Sequence, residues 1–241
     1  MARQVKEGER VSNAISENFT RVRERIDAAC RRAGRRAEEV RLIAISKTFP
    51  SEAIRGAFEV GLRDFGENRV QEAAAKRPAL SDLPITWHLV GHLQSNKAKP
   101  AREMFHWVHS VDSFRLAERL DGMAASPSDR LPVLVEVNLG GEGTKSGVPE
   151  GELAPLLEAV SGLATLEVRG LMVIPPFADD PEQTRPYFRR LRELAATIAA
   201  RNLPGVSMRE LSMGMSHDFE VAIEEGATMV RVGTAIFGER V

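Results

Sequence analysis

The chain is poor in cysteine, in aromatic side chains, in net charge and in long apolar runs, and each shortage closes off a class of protein. One cysteine, Cys30, stands among 241 residues. No intramolecular disulfide can form, and no cysteine cluster is available for a metal. Such usage fits a reducing compartment. Net charge is −1, from 33 basic and 34 acidic residues. No global field would draw in nucleic acid or a membrane surface. The opening residues, "MARQVKEGERVSNAISENF", lack the apolar core of a signal peptide. No segment approaches the ~20 apolar residues that span a bilayer. The reading is a cytoplasmic protein. Aromatic residues make up 5% of the chain, and Tyr187 is its one tyrosine.

What the chain does have is alternation. Val11, Ile15, Phe19, Val22, Ile26 and Cys30 recur three or four apart, which predicts a helix with one apolar stripe. Gly34 follows as its stop. Short apolar runs then predict strands over 40–46, 63–65, 85–90, 107–111, 133–137, 168–174, 209–211 and 229–232. Most show little strict alternation, as parallel strands covered on both faces do. Helical patterns fill the gaps at 51–60, with Ser51 as cap, and at 68–76, 96–103, 113–123, 149–160, 180–201 and 217–225. Eight strands, with a helix after each of the first seven, predict an α/β fold, a single (β/α)8 TIM barrel. An open doubly wound sheet is the alternative. The barrel proper would span 40–238. The helix within 1–34 would pack where an eighth barrel helix is missing. One domain over 1–241 is expected, with no linker and no second domain.

In such a barrel the active site lies at the C-terminal strand ends. Lys47 closes the run "VRLIAISK" just before "TFPS". Burial there favours the neutral amine, which attacks an aldehyde to form a Schiff base. A lysine that merely snorkels out is the bland alternative. Later strand ends bring Glu67 and Asn68, then His88, His92, Gln94, Asn96 and Lys97, then Ser110, Asp112 and Ser113, then Asn138, Glu142 and Lys145. "LSMGMSHD" and "VRVGTAIFG" follow the last two strands, where barrel phosphate sites are built. Gly214, Gly233 and Thr234 would let backbone approach a phosphate, with Ser216 capping the next helix. Tight-turn glycines alone are the alternative. Arg231 sits inside an apolar strand. Facing inward it would need a partner; facing outward it would pair with a helix acid. His88 and His92 lack a third metal ligand at suitable spacing, so His88 reads as a satisfied structural histidine and no metal is expected. Glu142 with Lys145 reads as a solvated loop, and Met172, Met213 and Met215 as packing at the mouth.

Taken in order, "AISKT", "FGENRVQE", "WHLVGHLQSNK", "HSVD", "GTKSG", "RGLM", "LSMGMSHDFEVAI" and "VRVGTAIFG" resemble the pyridoxal phosphate homeostasis proteins over 40–238. Their barrel is similar to that of alanine racemase, fold type III. The resemblance implies that Lys47 carries pyridoxal 5'-phosphate as a Schiff base. It implies that Ser212, Gly214, Gly233 and Thr234 surround the phosphate, that Asn68 lies by the ring and that Arg231 faces the pyridine nitrogen. His217, between Ser216 and Asp218, departs from the motif without touching these roles. An arginine at that nitrogen disfavours ring protonation and leaves a weak electron sink. Racemases of this type bring a second base, a tyrosine, from another domain. Here Tyr187 follows the sixth strand, and no C-terminal β domain is expected. The implied function is binding: holding the cofactor, keeping vitamin B6 and amino acids in balance, with no catalytic residue assigned. Apo forms of cofactor-dependent enzymes would be partners, and the chain would be a monomer. The alternatives are an amino-acid racemase or lyase, or a barrel for another phosphorylated ligand.

Overall fold

Strands that are apolar on both sides must be covered on both sides, and here helices cover one face while the strands close on themselves to cover the other. The computed structural model describes residues 2–141 and 146–239, with side chains described from Asn13 onward apart from that gap. The chain runs α1 (Ala2–Arg32), β1 (Arg41–Ile45), α2 (Ser51–Glu59), β2 (Asp64–Glu67), α3 (Val70–Lys76), β3 (Thr86–Leu89), α4 (Ala98–Met104) and β4 (Trp107–Val111). It continues α5 (Phe114–Asp121), β5 (Leu131–Asn138), β6 (Val148–Pro149), α6 (Glu150–Val160), β7 (Leu166–Met172), α7 (Arg185–Ala199), β8 (Val206–Met215), α8 (Phe219–Glu224), β9 (Met229–Val232) and α9 (Thr234–Phe237). The sheet order is β4-β3-β2-β1-β9-β8-β7-β5, every pairing is parallel, and β4 pairs back to β5. That last pairing closes the barrel and rules out the open sheet.

Closure sorts the apolar side chains by parity. Ile43, Ile45, Val90, Leu134, Met172 and Met229 form one cluster, the barrel interior. Their strand neighbours Leu42, Ala44, Leu89, Val133, Val135, Leu171, Val230 and Val232 belong to a second, between strands and helices. Met172 is thus an interior side chain and Met213 belongs to the outer cluster; of the three methionines expected at the mouth only Met215, 37% exposed, is there.

Helix α1 ends as its sequence predicts. Gly34 has φ +66, and the Arg35 N–H reaches back to the Cys30 carbonyl at 2.8 Å, a left-handed helix stop. Ile15, Val22, Ile26 and Cys30 are buried, whereas Val11 lies outside the described side chains. The helix packs against α8, α9 and α2. Asn18 donates to the Ile236 carbonyl at 2.9 Å, and Arg25 pairs with Glu220 at 2.6 Å. It stands where a full helix after β9 would stand.

Several boundaries differ from expectation for local reasons. The expected 209–211 strand extends over Val206–Met215, and its first half is only partly buried. The two-residue β6 and the one-turn α9 are too short for periodicity to reveal. Ser51 is the first helical residue, preceded by Pro50 as N-cap with no side-chain cap bond. Gly170 shows how tightly the barrel is drawn: a Cβ there would stand 1.7 Å from the Glu210 carbonyl oxygen on the next strand. Backbone cannot yield as a flexible side chain can. Gly170→Ala is expected to destabilise the protein by on the order of 3 kcal/mol, read in urea melts; a change below half that size would mean the β7–β8 pair is looser than the geometry requires.

Candidate functional site

The inward parity of Ile43 and Ile45 passes two residues on to Lys47. At the same end of the barrel opens a cavity of about 530 Å³, lined by Lys47, Asn68, Glu136, Arg231, Gly233 and Thr234 among others. Five of the seven residues singled out from the sequence meet there. Glu142 and Lys145 lie outside the described residues.

Lys47 stands in the turn after β1, half-buried, and its backbone is clamped. The next residue, Thr48, has φ +70, a strained choice for a β-branched side chain. Its N–H donates to the Glu72 carboxylate. Lys76 ties the arrangement together: its ammonium donates to the Ser46 carbonyl at 2.8 Å, to Glu67 at 2.7 Å and to Glu72 at 2.8 Å. Ser46 Oγ also donates to Glu67 at 2.7 Å. Burial pushes the Glu67 carboxyl up, against the pull of Lys76 and Ser46. This network, on the helix side of the strands, fixes the turn that carries Lys47.

Arg231 faces inward and is 4% exposed. Its Nη1 donates to Ser212 Oγ at 2.6 Å and its Nη2 to the Val173 carbonyl at 2.9 Å. These use two of its five N–H donors, and no carboxylate among the described residues forms an ion pair with it. Burial brings its pKa down to about 10, against the charges of Asp218 and Glu136. It remains a cation at neutral pH, with donors left over at the cavity.

A third feature lies across the mouth. Ser216 Oγ accepts from the N–H groups of Gly233 at 3.1 Å and Ala235 at 3.4 Å. Ser216 therefore caps the short α9; Asp218 is the N-cap residue of α8, and its carboxylate accepts from the Met215 N–H at 2.7 Å. The backbone N–H groups of Ser216, His217 and Thr234 have no acceptor among the described residues, and all three residues line the cavity. Unpaired backbone donors beside a hydroxyl suit a multiply charged oxyanion without any lysine. Gly233 packs closely on β1: a Cβ there would crowd the Ile45 carbonyl oxygen at 3.3 Å. Asn68 is held by contact too, since a Cβ on Gly91 would stand 2.3 Å from its carbonyl oxygen.

The family described as alanine racemase, N-terminal domain, matches residues 14–241. The pyridoxal phosphate homeostasis protein of Aquifex aeolicus (strain VF5) is 49% identical over 224 residues, 93% of this chain and 97% of that one. The protein of the same name from Escherichia coli (strain K12) is 43% identical over 231 residues, 95% of this chain and 97% of that one. The chain belongs to the pyridoxal phosphate homeostasis protein family. PipY of Synechococcus elongatus PCC7942, solved with PLP bound, matches at TM-score 0.82 and 43% identity, over 93% of this chain and all (100%) of that one. Alanine racemase from Corynebacterium glutamicum, at TM-score 0.67 and 18% identity over 93% of this chain and 60% of that one, shares the fold.

Two residues drawn from the likeness to pyridoxal phosphate homeostasis proteins stand behind the cavity, not on it. Ser212 is 0% exposed, and its hydroxyl is taken by Arg231 and by His109 at 2.9 Å. Gly214 has φ +89 and turns toward α8: a Cβ there would meet Ala222 Cβ at 2.6 Å. Both hold the loop that lines the site. His88 is interior, between Asp64 at 2.9 Å and His109 at 3.0 Å, while His92 pairs with Asp112 at the rim at 3.2 Å. Tyr187 lies on α7, outside the barrel, and is not among the cavity residues.

Glu136 was not singled out from the sequence, although strict alternation from Leu134 would have turned it inward. It lines the cavity at 7% exposure. Burial pushes its carboxyl up to about 7, opposed by Arg231 and reinforced by Asp112. Folded Glu136 thus holds its proton more tightly than the unfolded side chain, whose pKa is 4.5. Its contribution to stability is full below that value and is lost as pH rises through about 7. Removing the ionisation removes the loss. Glu136→Gln, without cofactor, is expected to be ~2–3 kcal/mol more stable than wild type at pH 8, the two converging near pH 4. Urea melts across pH check the sign; equal stability at pH 8 would show that Glu136 is solvated.

Proposed function

We propose that this chain binds pyridoxal 5'-phosphate covalently on Lys47 and holds it available for other proteins, without turning over an amino acid. The observation that carries the reading is one cavity with an inward lysine at its wall and, among the described residues, a buried arginine with no carboxylate ion pair and three backbone N–H groups with no acceptor. Those three groups fit an amine-reactive aldehyde, an aromatic nitrogen acceptor and a phosphate. Identity of 43–49% to proteins named for pyridoxal phosphate homeostasis, and a relative solved with PLP bound, support the same cofactor.

In this reading Lys47 supplies the amine, held in place by the clamped Thr48 turn. Ser216, His217 and Thr234 receive the phosphate through backbone N–H groups and hydroxyls, with Gly233 beside them on the cavity wall, while Ser212 and Gly214 shape that loop from behind. Asn68 lies beside the ring. Arg231 meets the ring nitrogen and keeps a proton off it, since two cations would otherwise share one contact. When bound, the cofactor would supply an electron sink, and a weak one in that state. The rim near Ile174, Phe177 and Met215 is exposed, at 39%, 79% and 37%, so the mouth stays open to an exchange partner. We read the partners as apo forms of cofactor-dependent enzymes, the protein as a monomer, and the compartment as the cytoplasm, in line with a single buried thiol and near-zero net charge. Among the described residues no helix is long and apolar enough to cross a membrane.

A racemase or lyase is the second reading, favoured by one observation: Glu136 shares the cavity and titrates near neutrality, as an acid–base group would. Proton exchange at the α-carbon of alanine or serine in heavy water, lost in Lys47→Ala, would support it. The binding reading predicts no such exchange. It also predicts that borohydride traps the cofactor on Lys47 and that Lys47→Ala abolishes both the trapping and the visible absorption band. Adduct mapped by mass spectrometry to Lys97 or Lys145, or to no lysine, would refute it. Delivery is checked separately: loaded protein should reactivate an apo-enzyme faster than dissociation into buffer permits.

A further inference from the structure

Arg231 is one end of a longer chain of polar side chains inside the barrel. Ser212 Oγ lies 2.6 Å from Arg231 Nη1 and 2.9 Å from His109 Nδ1. His109 Nε2 lies 3.0 Å from His88 Nδ1. His88 Nε2 lies 2.9 Å from Asp64 Oδ1. Asp64 is the first residue of β2, at the end of the barrel opposite the mouth. Four hydrogen bonds therefore run from the arginine in the cavity, through the interior, to a carboxylate on the far side.

The donors and acceptors permit one self-consistent assignment with neutral rings. A carboxylate accepts only, so His88 carries its proton on Nε2 and offers Nδ1 as acceptor. His109 must then donate from Nε2 and accept at Nδ1. Ser212 must donate its hydroxyl proton to His109, which leaves its oxygen lone pairs to accept from Arg231. Every donor points the same way, from Arg231 toward Asp64. The groups around the chain suit this state. Burial pushes both imidazoles down, His109 well below its usual value with His88, Arg231 and Arg41 adding to the effect. Arg41 Nε stands 3.9 Å from Asp64 Oδ1. His106 lies beyond, and Trp107 stacks on His88 with ring centroids 6.0 Å apart. At the other end Glu136 and Asp218 act on Arg231 from a distance. A buried cation without an adjacent anion is costly; a polarised chain ending in a carboxylate offsets part of that cost.

We propose that Asp64, His88 and His109 are positioning residues for Arg231, a one-way hydrogen-bond chain that turns the Ser212 oxygen toward the guanidinium and carries the influence of Asp64 across the barrel. The chain depends only on the interior geometry; its consequence for a bound ring rests on the function proposed above. Three measurements test it. In cofactor-free protein, ¹⁵N spectra of the histidine rings between pH 6 and 8 should show His88 and His109 both neutral and both protonated on Nε2. A charged ring, or a proton on either Nδ1, overturns the proposal. In Asp64→Leu the acceptor is gone and Arg41 can instead donate to His88 Nε2, so both rings should change to the Nδ1 tautomer together. Separate packing contacts would not couple them, and an unchanged His109 overturns the chain. Should that variant fail to fold, Asp64→Asn, nearly isosteric and uncharged, is read by the same two signals, with the His109 signal again expected to move. Finally, with cofactor labelled at the ring nitrogen, the Asp64 variant should shift that nitrogen's resonance although Asp64 touches nothing in the cavity. A tautomer change without that shift leaves the chain standing and overturns the placement of Arg231 against the ring.

Discussion

A guanidinium enclosed in the barrel with no ion-pair partner among the described residues is the constraint to which the interior answers. Arg231 is covered by parallel strands on every side, so its charge must be met by neutral acceptors or by groups at a distance. The Val173 carbonyl and Ser212 hydroxyl meet it directly. The interior is divided accordingly. Ile43, Leu134, Met172 and Met229 fill it with apolar volume, and His88, His109 and Ser212 share the space with a polar run in which each member satisfies the next. In a core this tight, an unpaired polar group would carry its full desolvation penalty, so the polar run has to be complete.

Around the same cavity, the lysine is presented by different means. Arg231 is held from inside the barrel, Lys47 from outside it. Lys76 and Glu72 come from α3, Glu67 from β2 and Ser46 from the end of β1. Together they keep Thr48 in a backbone conformation it would not adopt alone. The two supports share no residue, so amine and guanidinium are fixed independently, each against a rigid part of the barrel. The anion cradle is a third, separate device, made of backbone donors after β8 and β9 and needing small residues for close approach. A site assembled from three rigid supports leaves little reorganisation for a ligand to drive.

Much of this could be read along the chain. Eight short apolar runs, separated by helical periodicity, are enough to imply a barrel, because parallel strands buried on both sides leave few other arrangements. Lys47 and Arg231 stood out because a cation within or at the end of an apolar run is rare. Gly233 and Thr234 stood out by their place after the last strand. Ser212 and Gly214 were expected around the phosphate and stand behind the cavity lining instead; their facing was not legible, because β8 carries register irregularities that break simple alternation. Ser216 was read as capping its own helix and caps α9 instead, a helix one turn long with no pattern of its own. His109 and Glu136 left weaker marks: each is one polar residue in an apolar strand, and only the parity of Trp107 and Leu134 marks them as inward.

The order of elements, the closing of the barrel and the residue types at each strand end follow from the sequence, since periodicity and parity are local properties of the backbone. Which of those residues share a cavity, which carboxyl keeps its proton near neutrality, and which histidine touches which, were decided by closure alone. Asp64 and Arg231 are far apart along the chain and stand at opposite ends of the barrel. Only the ring of strands lines up the histidines between them, and hydrogen bonding acts over a few ångströms whatever the separation in sequence.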